Sequence, residues 1–414
     1  MEKKYNQTPP CSGKFDVAIS GGGMVGLSLG VALAQSGLRV ALIEQGALSA
    51  QREAGFDGRV SAVALGSQYM LQHIGAWQHI APHAQPITDI RVSDGDTPFF
   101  LHYHHREVSE EPFGTIVENR HIRAGLHEAA RACPNLEIFE SSRLNSYTLQ
   151  GERVQLHLSN ELCLEARLLV GAEGRKSTVR GLSGIGEIGW SYKQTAIVCT
   201  IGHSLPHAGL AQERFLPAGP FAVLPMTGDR SSLVWVEPEA RVGMYMELED
   251  SEFLQEIRER VGDYLGELSL IGPRYTYPLS LMHAKRYTAA RVALAGDAAH
   301  GMHPLAGQGV NLGFRDVAVL HELIVSRHRL GLDFGDGATL ARYERWRSFD
   351  NVAMLAATES LNRLFSNAIP PVRLARGLGL WAVGQLPGVK RFFMKHAMGL
   401  MGDVPPLLKP LIKA

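Results

Sequence analysis

The chain lacks a long apolar run. No uninterrupted stretch of about 18 apolar residues, the length a bilayer-spanning helix needs, occurs in it, which argues against a transmembrane protein. Cysteine is scarce. Cys11, Cys133, Cys163 and Cys199 lie far apart with no C-x-x-C pair, so neither a zinc ribbon nor a redox disulfide motif is present, and no metal site is expected. The opening residues, Met1 to Lys14, are polar and lack the apolar core of a signal peptide, so the chain reads as cytoplasmic. Neither charge sign is in excess, since 41 lysines and arginines balance 41 aspartates and glutamates. Without a basic field, nucleic acid is not an expected partner.

What remains is an ordinary globular composition, 414 residues at 45% apolar and 20% charged, enough for one large domain or two that share a ligand. Glycine stands out, with 44 copies where average usage of ~7% gives roughly 29. Without a matching proline excess, this points to tight turns and close backbone approach.

Phe15 to Ser20 is a β-prone run that breaks at Gly21-Gly22-Gly23 and resumes as a helical pattern from Met24 to Ser36, closed by Gly37. Arg39 to Glu44 follows as a second buried strand and completes a βαβ unit. Further strands are predicted at Ile87 to Val92, Val154 to Leu158, Arg167 to Val170, Thr195 to Ile201, Phe221 to Leu224, Ser232 to Val236 and Arg291 to Ala295. Helices are predicted at Asn119 to Cys133 and Gly309 to Arg329, and after about Gly335 the pattern is helical to the end, broken by prolines. The expected class is α/β, with a second, mainly antiparallel region in the middle of the chain. No internal repeat is visible.

Three motifs carry chemistry. In Gly21-x-Gly23-x-x-Gly26, between a strand and a helix, the glycines admit a pyrophosphate and the helix N-terminus stabilises its charge, while Glu44, 18 residues after the last glycine, can accept from a ribose hydroxyl. A second match, Gly184-x-Gly186-x-x-Gly189, follows no clear strand and is read as a loop. The second motif, Val170-Gly-Ala-Glu-Gly-Arg-Lys-Ser-Thr-Val-Arg180, stands at a strand end, where α/β sheets bind ligands. The third is Gly296-Asp297-Ala-Ala-His300 followed by His303-Pro-Leu-Ala-Gly-Gln-Gly309-Val-Asn311-Leu-Gly313-Phe-Arg-Asp316. Asp297 can hold a sugar-like hydroxyl, Gly307 and Gly309 let backbone lie against a flat ligand, and the helix opening near Gly309 aims free N–H groups at it.

With these motifs the sequence resembles the FAD-dependent aromatic hydroxylases, and among them the ubiquinone-biosynthesis hydroxylases of the 2-octaprenyl-6-methoxyphenol hydroxylase type. The stretch His303 to Asp316 matches that signature throughout, and Asp57-Gly-Arg59-Val-Ser-Ala62 and Tyr192-Lys-Gln-Thr-Ala-Ile197 look like further family segments. The resemblance implies an FAD-binding βαβ domain from residues 1–85, 117–180 and 285–365, an interleaved antiparallel substrate domain from 86–116 and 181–284, and a helical tail over 366–414. It implies that Gly21, Gly23, Gly26 and Glu44 bind the ADP part of FAD and Asp297 the ribityl chain. Arg59 and Asn119 are further cofactor contacts by the same likeness, and His303, Pro304, Gly307, Gln308, Gly309 and Asn311 flank the isoalloxazine. No side chain is assigned as catalytic, because the cofactor carries the chemistry. NAD(P)H reduces FAD in that family, O2 adds to give a flavin hydroperoxide, and its distal oxygen passes to an electron-rich carbon of a phenol in a water-poor pocket. With one dinucleotide loop only, the nicotinamide docks transiently or another donor supplies the electrons. The family usually carries Asp where this chain has Glu173, a longer side chain with the same charge and a different reach.

The expected substrate is a polyprenyl phenol of ubiquinone biosynthesis. The rivals are a same-fold hydroxylase of a small soluble aromatic acid and a flavin-binding, non-catalytic scaffold of a biosynthetic complex. A flavin halogenase would need Trp-x-Trp-x-Ile, which is absent, and a plain NAD dehydrogenase would not need Gly296 to Gly313. His102, His104 and His105 read as an exposed polar strand end, and Trp235, Phe221 and Tyr192 as sheet core sooner than as an aromatic substrate wall. The tail 371–414 holds Arg373, Arg376, Lys390, Arg391, Lys395, Lys409 and Lys413 against the one acid Asp403, interleaved with Trp381, Phe392, Phe393, Met394, Met398 and Met401. It reads either as a packed helix with a solvated basic face or as a surface for anionic lipid at the inner face of a membrane, or for another ubiquinone-biosynthesis protein. A substrate that resides in the bilayer favours the second.

Overall fold

A parallel sheet runs through the nucleotide motif. The computed structural model describes residues 11, 13–47, 55–95, 100–301, 309–365 and 385–411, with backbone alone for 353 and 356–365. The sheet is ordered Thr288–Ala289, Val292–Leu294, Cys163–Gly171, Gly13–Ser20, Val40–Ile43 and Leu136–Phe139, parallel except at its first pair. Strands covered on both faces need near-continuous apolar sequence, and Val40–Ile43 is buried at every position. An antiparallel hairpin, Leu144–Gln150 and Arg153–Leu158, extends off Cys163–Gly171.

The helix Met24–Gln35 follows the first strand and packs against the helix Gly309–Arg329. The two are tied by a 2.9 Å hydrogen bond between Ser36 Oγ and His321 Nε2, and burial of the His321 ring pushes its pKa down to about 4. The motif helix begins and ends on the residues its sequence pattern predicts.

The second sheet has eight strands, ordered His300–Gly301, Leu268–Ala284, Glu187–His203, Arg230–Pro238, Gly219–Met226, Leu210–Leu216, Asp89–Asp94 and Phe100–His104. It is antiparallel except where Leu210–Leu216 runs parallel to Asp89–Asp94. One face packs Ile197, Phe221, Leu233 and Trp235 under the helices Glu239–Met246 and Asp250–Val261. Trp235 and Phe221 are therefore core, as expected, with the Trp235 ring between Tyr245, Phe253 and the Arg260 guanidinium. The opposite face carries Tyr192, Val198, Val234, Tyr275 and Tyr277. Its continuation through Leu281 meets Leu312 of the motif helix, so this face looks toward the helix Gly309–Arg329. A small sheet of Val60–Ala64, Gly114–Glu118 and Ala84–Ile87 bridges the two large ones.

Four readings of the sequence change. The run Ile87 to Val92 is not one strand, because the chain passes from the small sheet to the large one at Thr88, whose N–H donates to Gly209 O. The strand Leu268–Ala284 was not anticipated, since Gly272, Pro273 and Pro278 interrupt its pattern; the prolines are tolerated because its outer edge is paired only at Met282 and His283. His105 is buried and bonds Glu111 O, while His102 pairs with Asp89, so this segment is not a free polar strand end. Cys11 and Cys163 form a disulfide across 152 positions, a pairing that spacing alone did not mark. Among the described residues no group of three metal-ligating side chains is present.

Candidate functional site

The three motifs meet at the C-terminal ends of the parallel strands. Gly21 has φ +105°, and a Cβ there would stand 2.5 Å from the Ala172 carbonyl oxygen of the second motif. At Gly26 it would stand 1.9 Å from Gly21 O, so only glycine lets the first helix start this close to its own turn. Val25 fills the notch between Gly296 (φ +61°) and Gly313, which joins the first motif to the third. Arg180 of the second motif donates to Ala298 O of the third at 3.0 Å, completing the ring of contacts.

At the centre of this ring the helix Met24–Gln35 opens at Gly23 with no side-chain cap and no acid in its first turn. A Cβ on Gly23 would meet nothing within 4 Å. An uncapped N-terminus facing open space is a receptor for phosphate oxygens. Glu44, almost fully buried, accepts from Gly22 N–H at 2.6 Å and Gly46 N–H at 2.8 Å, which holds a carboxylate beside that N-terminus. These features fit the ADP half of a dinucleotide.

Asp297 is half-exposed and 3.5 Å from the Arg175 guanidinium, which also bonds Ser280 O of the second sheet. Arg59 is exposed, ion-paired with Asp57, and lies over the Tyr277 ring. Its loop is clamped by Tyr275 and Tyr277, whose hydroxyls donate to Phe56 O and Asp57 O. Gly58 presses on the Tyr275 ring, leaving no room for a side chain. Asn119 opens the helix Asn119–Arg131 and accepts from Ser61 Oγ at 2.6 Å. Asn311 commits its side chain to the backbone of the small sheet, with Nδ2 donating to Ala62 O and Oδ1 accepting from Ala64 N–H. Gly309 begins the motif helix. His303, Pro304, Gly307 and Gln308 lie outside the described residues. Gly184 and Gly186 lie in the expected loop, but Gly189 falls inside the strand Glu187–His203.

Glu173 does structural service. Its carboxylate accepts from Ser20 Oγ, Ser177 Oγ and Val179 N–H at 2.6 to 2.9 Å, tying the end of the first strand to the short helix Thr178–Leu182. The longer side chain spans that gap.

Sequence reasoning missed what holds the third motif in place. Asp316 is fully buried; one oxygen accepts from Gly296 N–H at 2.8 Å and is 2.6 Å from His300 Nε2, while the other accepts from Arg347 Nε at 2.6 Å. Burial opposes ionisation of Asp316, but the His300 and Arg347 charges and hydrogen bonds outweigh it and hold the pKa below the ordinary carboxylate value. Arg347, equally buried, also bonds Asp350 and Asn351, and Asn351 bonds the Tyr287 hydroxyl. The guanidinium comes from the helix Gly337–Phe365, in a stretch with no motif to mark it.

Residues 14–348 match the family model described as FAD binding domain. The ubiquinone hydroxylase UbiL of Rhodospirillum rubrum is 49% identical over 395 residues, covering 95% of this chain and 92% of that protein. The 3-demethoxyubiquinol 3-hydroxylase of Escherichia coli is 32% identical over 387 residues, 93% of this chain and 98% of that one. Among solved structures, p-nitrophenol 4-monooxygenase PnpA from Pseudomonas putida superposes with a TM-score of 0.78 over 94% of this chain and 99% of that chain, at 20% identity, a likeness of fold.

Removing one partner of a buried ion pair strands the other charge. Arg347→Leu is therefore expected to lower stability by about 3–5 kcal/mol in denaturant unfolding. A loss below about 1 kcal/mol, the range of exposed pairs, would show that the Asp316 cluster does not anchor the third motif.

Proposed function

The chain belongs to the family of FAD-dependent ubiquinone hydroxylases, and from that membership we propose that it hydroxylates the aromatic ring of a prenylated phenol, with O2 as the oxygen source. It is an FAD-dependent monooxygenase. When bound, FAD supplies the redox chemistry, taking electrons from NAD(P)H, the reductant typical of the family, and activating O2. The protein binds, orients and excludes water.

In this reading the backbone at Gly21, Gly23 and Gly26, with the open helix N-terminus, holds the pyrophosphate, and Glu44 holds the ribose. Asp297 takes the ribityl chain, and Arg59 and Asn119 border the cofactor. The free N–H groups at the start of the helix Gly309–Arg329, Gly309 and Asn311 among them, would hold the ring system, and the helix dipole there would favour negative charge on it. Pro304, Gly307 and Gln308 belong to the same segment. Glu173, committed to Ser20, Ser177 and Val179, is left out of cofactor contact.

The observation that carries the substrate class is the floor of the second sheet. Val92, Glu213, Ala222, Val234, Val198 and Tyr275 form one row across it, and Ala196, Val236 and Tyr277 the next. An aromatic acid calls for a cation beside its carboxylate, and these rows hold no Lys or Arg; their one charged group is the acid Glu213. Such a floor suits a neutral phenol with an apolar substituent.

The described part of the tail supports contact with a bilayer. The helix Pro387–Ala397 buries Met394 against the body and leaves Phe392 and Phe393 exposed beside Arg391 and Lys395. Apolar rings among cations suit an anionic lipid surface, and Arg373, Arg376, Trp381 and Lys413 lie outside the described residues. No helix among the described residues is long and apolar enough to cross a membrane.

Purified protein is expected to turn over a prenylated phenol with NAD(P)H and to leave hydroxybenzoates untouched; the reverse preference would overturn the substrate assignment. Gly23→Val should keep the unfolding midpoint yet weaken FAD binding by roughly tenfold or more, about 1.4 kcal/mol; unchanged affinity by fluorescence titration would remove Gly23 from the cofactor site. Sedimentation with anionic vesicles should fall in the double variant Phe392→Ala, Phe393→Ala and in high salt, whereas equal binding by that variant would rule out the tail surface.

A further inference from the structure

Glu213 stands in an otherwise apolar row of the second sheet, Tyr275 at its far end apart. Its strand neighbours across the ladder are Val92 and Ala222, and the row continues through Val234 and Val198 to Tyr275, beneath the loop that Tyr275 and Tyr277 clamp. The carboxylate has no hydrogen-bond or ion-pair partner among the described residues. It lies deep in the fold, yet keeps some accessible surface, as do Val92, Leu224, Val234, Tyr275 and Tyr277 on the same face. Glu213 is thus a deep carboxyl that a small molecule can still reach. On its own strand and the two strands toward the sheet edge the titratable groups are Asp94 and Tyr103 on the same face and Asp89, Arg91, His102, His104 and Arg214 on the other; Arg230 lies farther along the same face and Lys390 above the Tyr103 ring. None of them perturbs Glu213: burial alone pushes its carboxyl up to about 7. An unpartnered acid in a low-dielectric site is costly, and a fold retains such a group where a ligand completes it.

We propose that Glu213 is the polar contact for the aromatic headgroup and acts as the base that takes its phenolic proton. This rests on the prenylated-phenol reading and extends it to a residue. The O–H bond of the phenol breaks, the proton passes to a Glu213 oxygen, and the electron pair stays on the phenolate oxygen. The ring positions ortho and para to that oxygen become more electron-rich, which is what attack on an electrophilic oxygen requires. After oxygen insertion the attacked carbon carries both its hydrogen and the new hydroxyl. Its C–H bond then breaks, the hydrogen leaves as a proton to water, and the C–H electron pair restores the aromatic ring. The carboxylic acid returns its proton to the former phenolic oxygen, leaving the carboxylate for the next turnover. A carboxyl that titrates near neutrality is matched to this exchange.

The test compares wild-type holoenzyme with Glu213→Gln and Glu213→Asp, using a short-chain prenylated phenol. Glu213→Gln should keep its FAD content and unfolding midpoint, because it removes a desolvated acid that holds nothing else in place. Its kcat should fall about 100-fold or more, and the rise of rate with pH near 7 should vanish; Glu213→Asp should restore that rise. Ultraviolet difference spectra supply a readout independent of turnover: wild type should bind the phenol as phenolate above neutral pH, and Glu213→Gln should bind it protonated. Wild-type hydroxylation matched by Glu213→Gln in rate, pH profile and phenolate band overturns the role of Glu213 and leaves the function standing. A wild-type enzyme that binds no phenol at any pH overturns both.

Discussion

The buried carboxylate of Asp316 fixes more of this molecule than any other single group. It gathers the turn at Gly296, the ring of His300 and the guanidinium of Arg347, and so binds a strand end, the motif helix and the long helix Gly337–Phe365 to one point. A charge at zero exposure would be intolerable alone. Surrounded by three donors it becomes a geometric constraint, because any shift of one element strands a charge on another. Gly296 is held in place from below by Asp316 and from above by Val25, and that places Asp297 and the start of the motif helix opposite the nucleotide turn.

From this node the two halves of the site follow. The parallel sheet delivers its strand ends, the uncapped helix at Gly23 and the carboxylate of Glu44 to one side. The eight-stranded sheet turns its helix-covered face, with Trp235 and Phe221, away from them and presents the other, with Tyr275 and Tyr277 reaching up to grip the 55–59 loop. Two tyrosines thus couple the floor of the second sheet to the loop that carries Arg59. The same chain that leaves an uncapped helix N-terminus at Gly23 sets, on the second sheet, an apolar row of side chains with Glu213 in it. Oxygen transfer to a ring demands a place that excludes bulk water.

Much of this was legible in the sequence where chemistry is local. The strand, glycine turn and helix from Phe15 to Ser36 follow from periodicity and from glycine at positions that admit nothing else, and the helix Gly309–Arg329 declares both its ends. What was illegible is long-range. Arg347 lies 31 positions beyond Asp316 in an ordinary-looking helix, and nothing in its neighbourhood says that it is buried. Glu213 sits in Gln212-Glu213-Arg214, which reads as a solvated polar stretch until strand pairing assigns alternate residues to opposite faces. The crossing at Thr88 and the proline-interrupted strand Leu268–Ala284 depend on which edge each segment pairs with. Of Glu173, the sequence told the charge but not the gap that it bridges.

The reaction assigned to this chain moves one oxygen atom from O2 to an aromatic ring carbon of a prenylated phenol. The most direct measurement is turnover under 18O2 in ordinary water with NAD(P)H, followed by mass spectrometry of the product. One 18O atom is expected in each hydroxylated product molecule, placed on the ring. Product oxygen drawn from water, or oxidation of NAD(P)H that yields hydrogen peroxide with no hydroxylated phenol from any prenylated substrate, would contradict it.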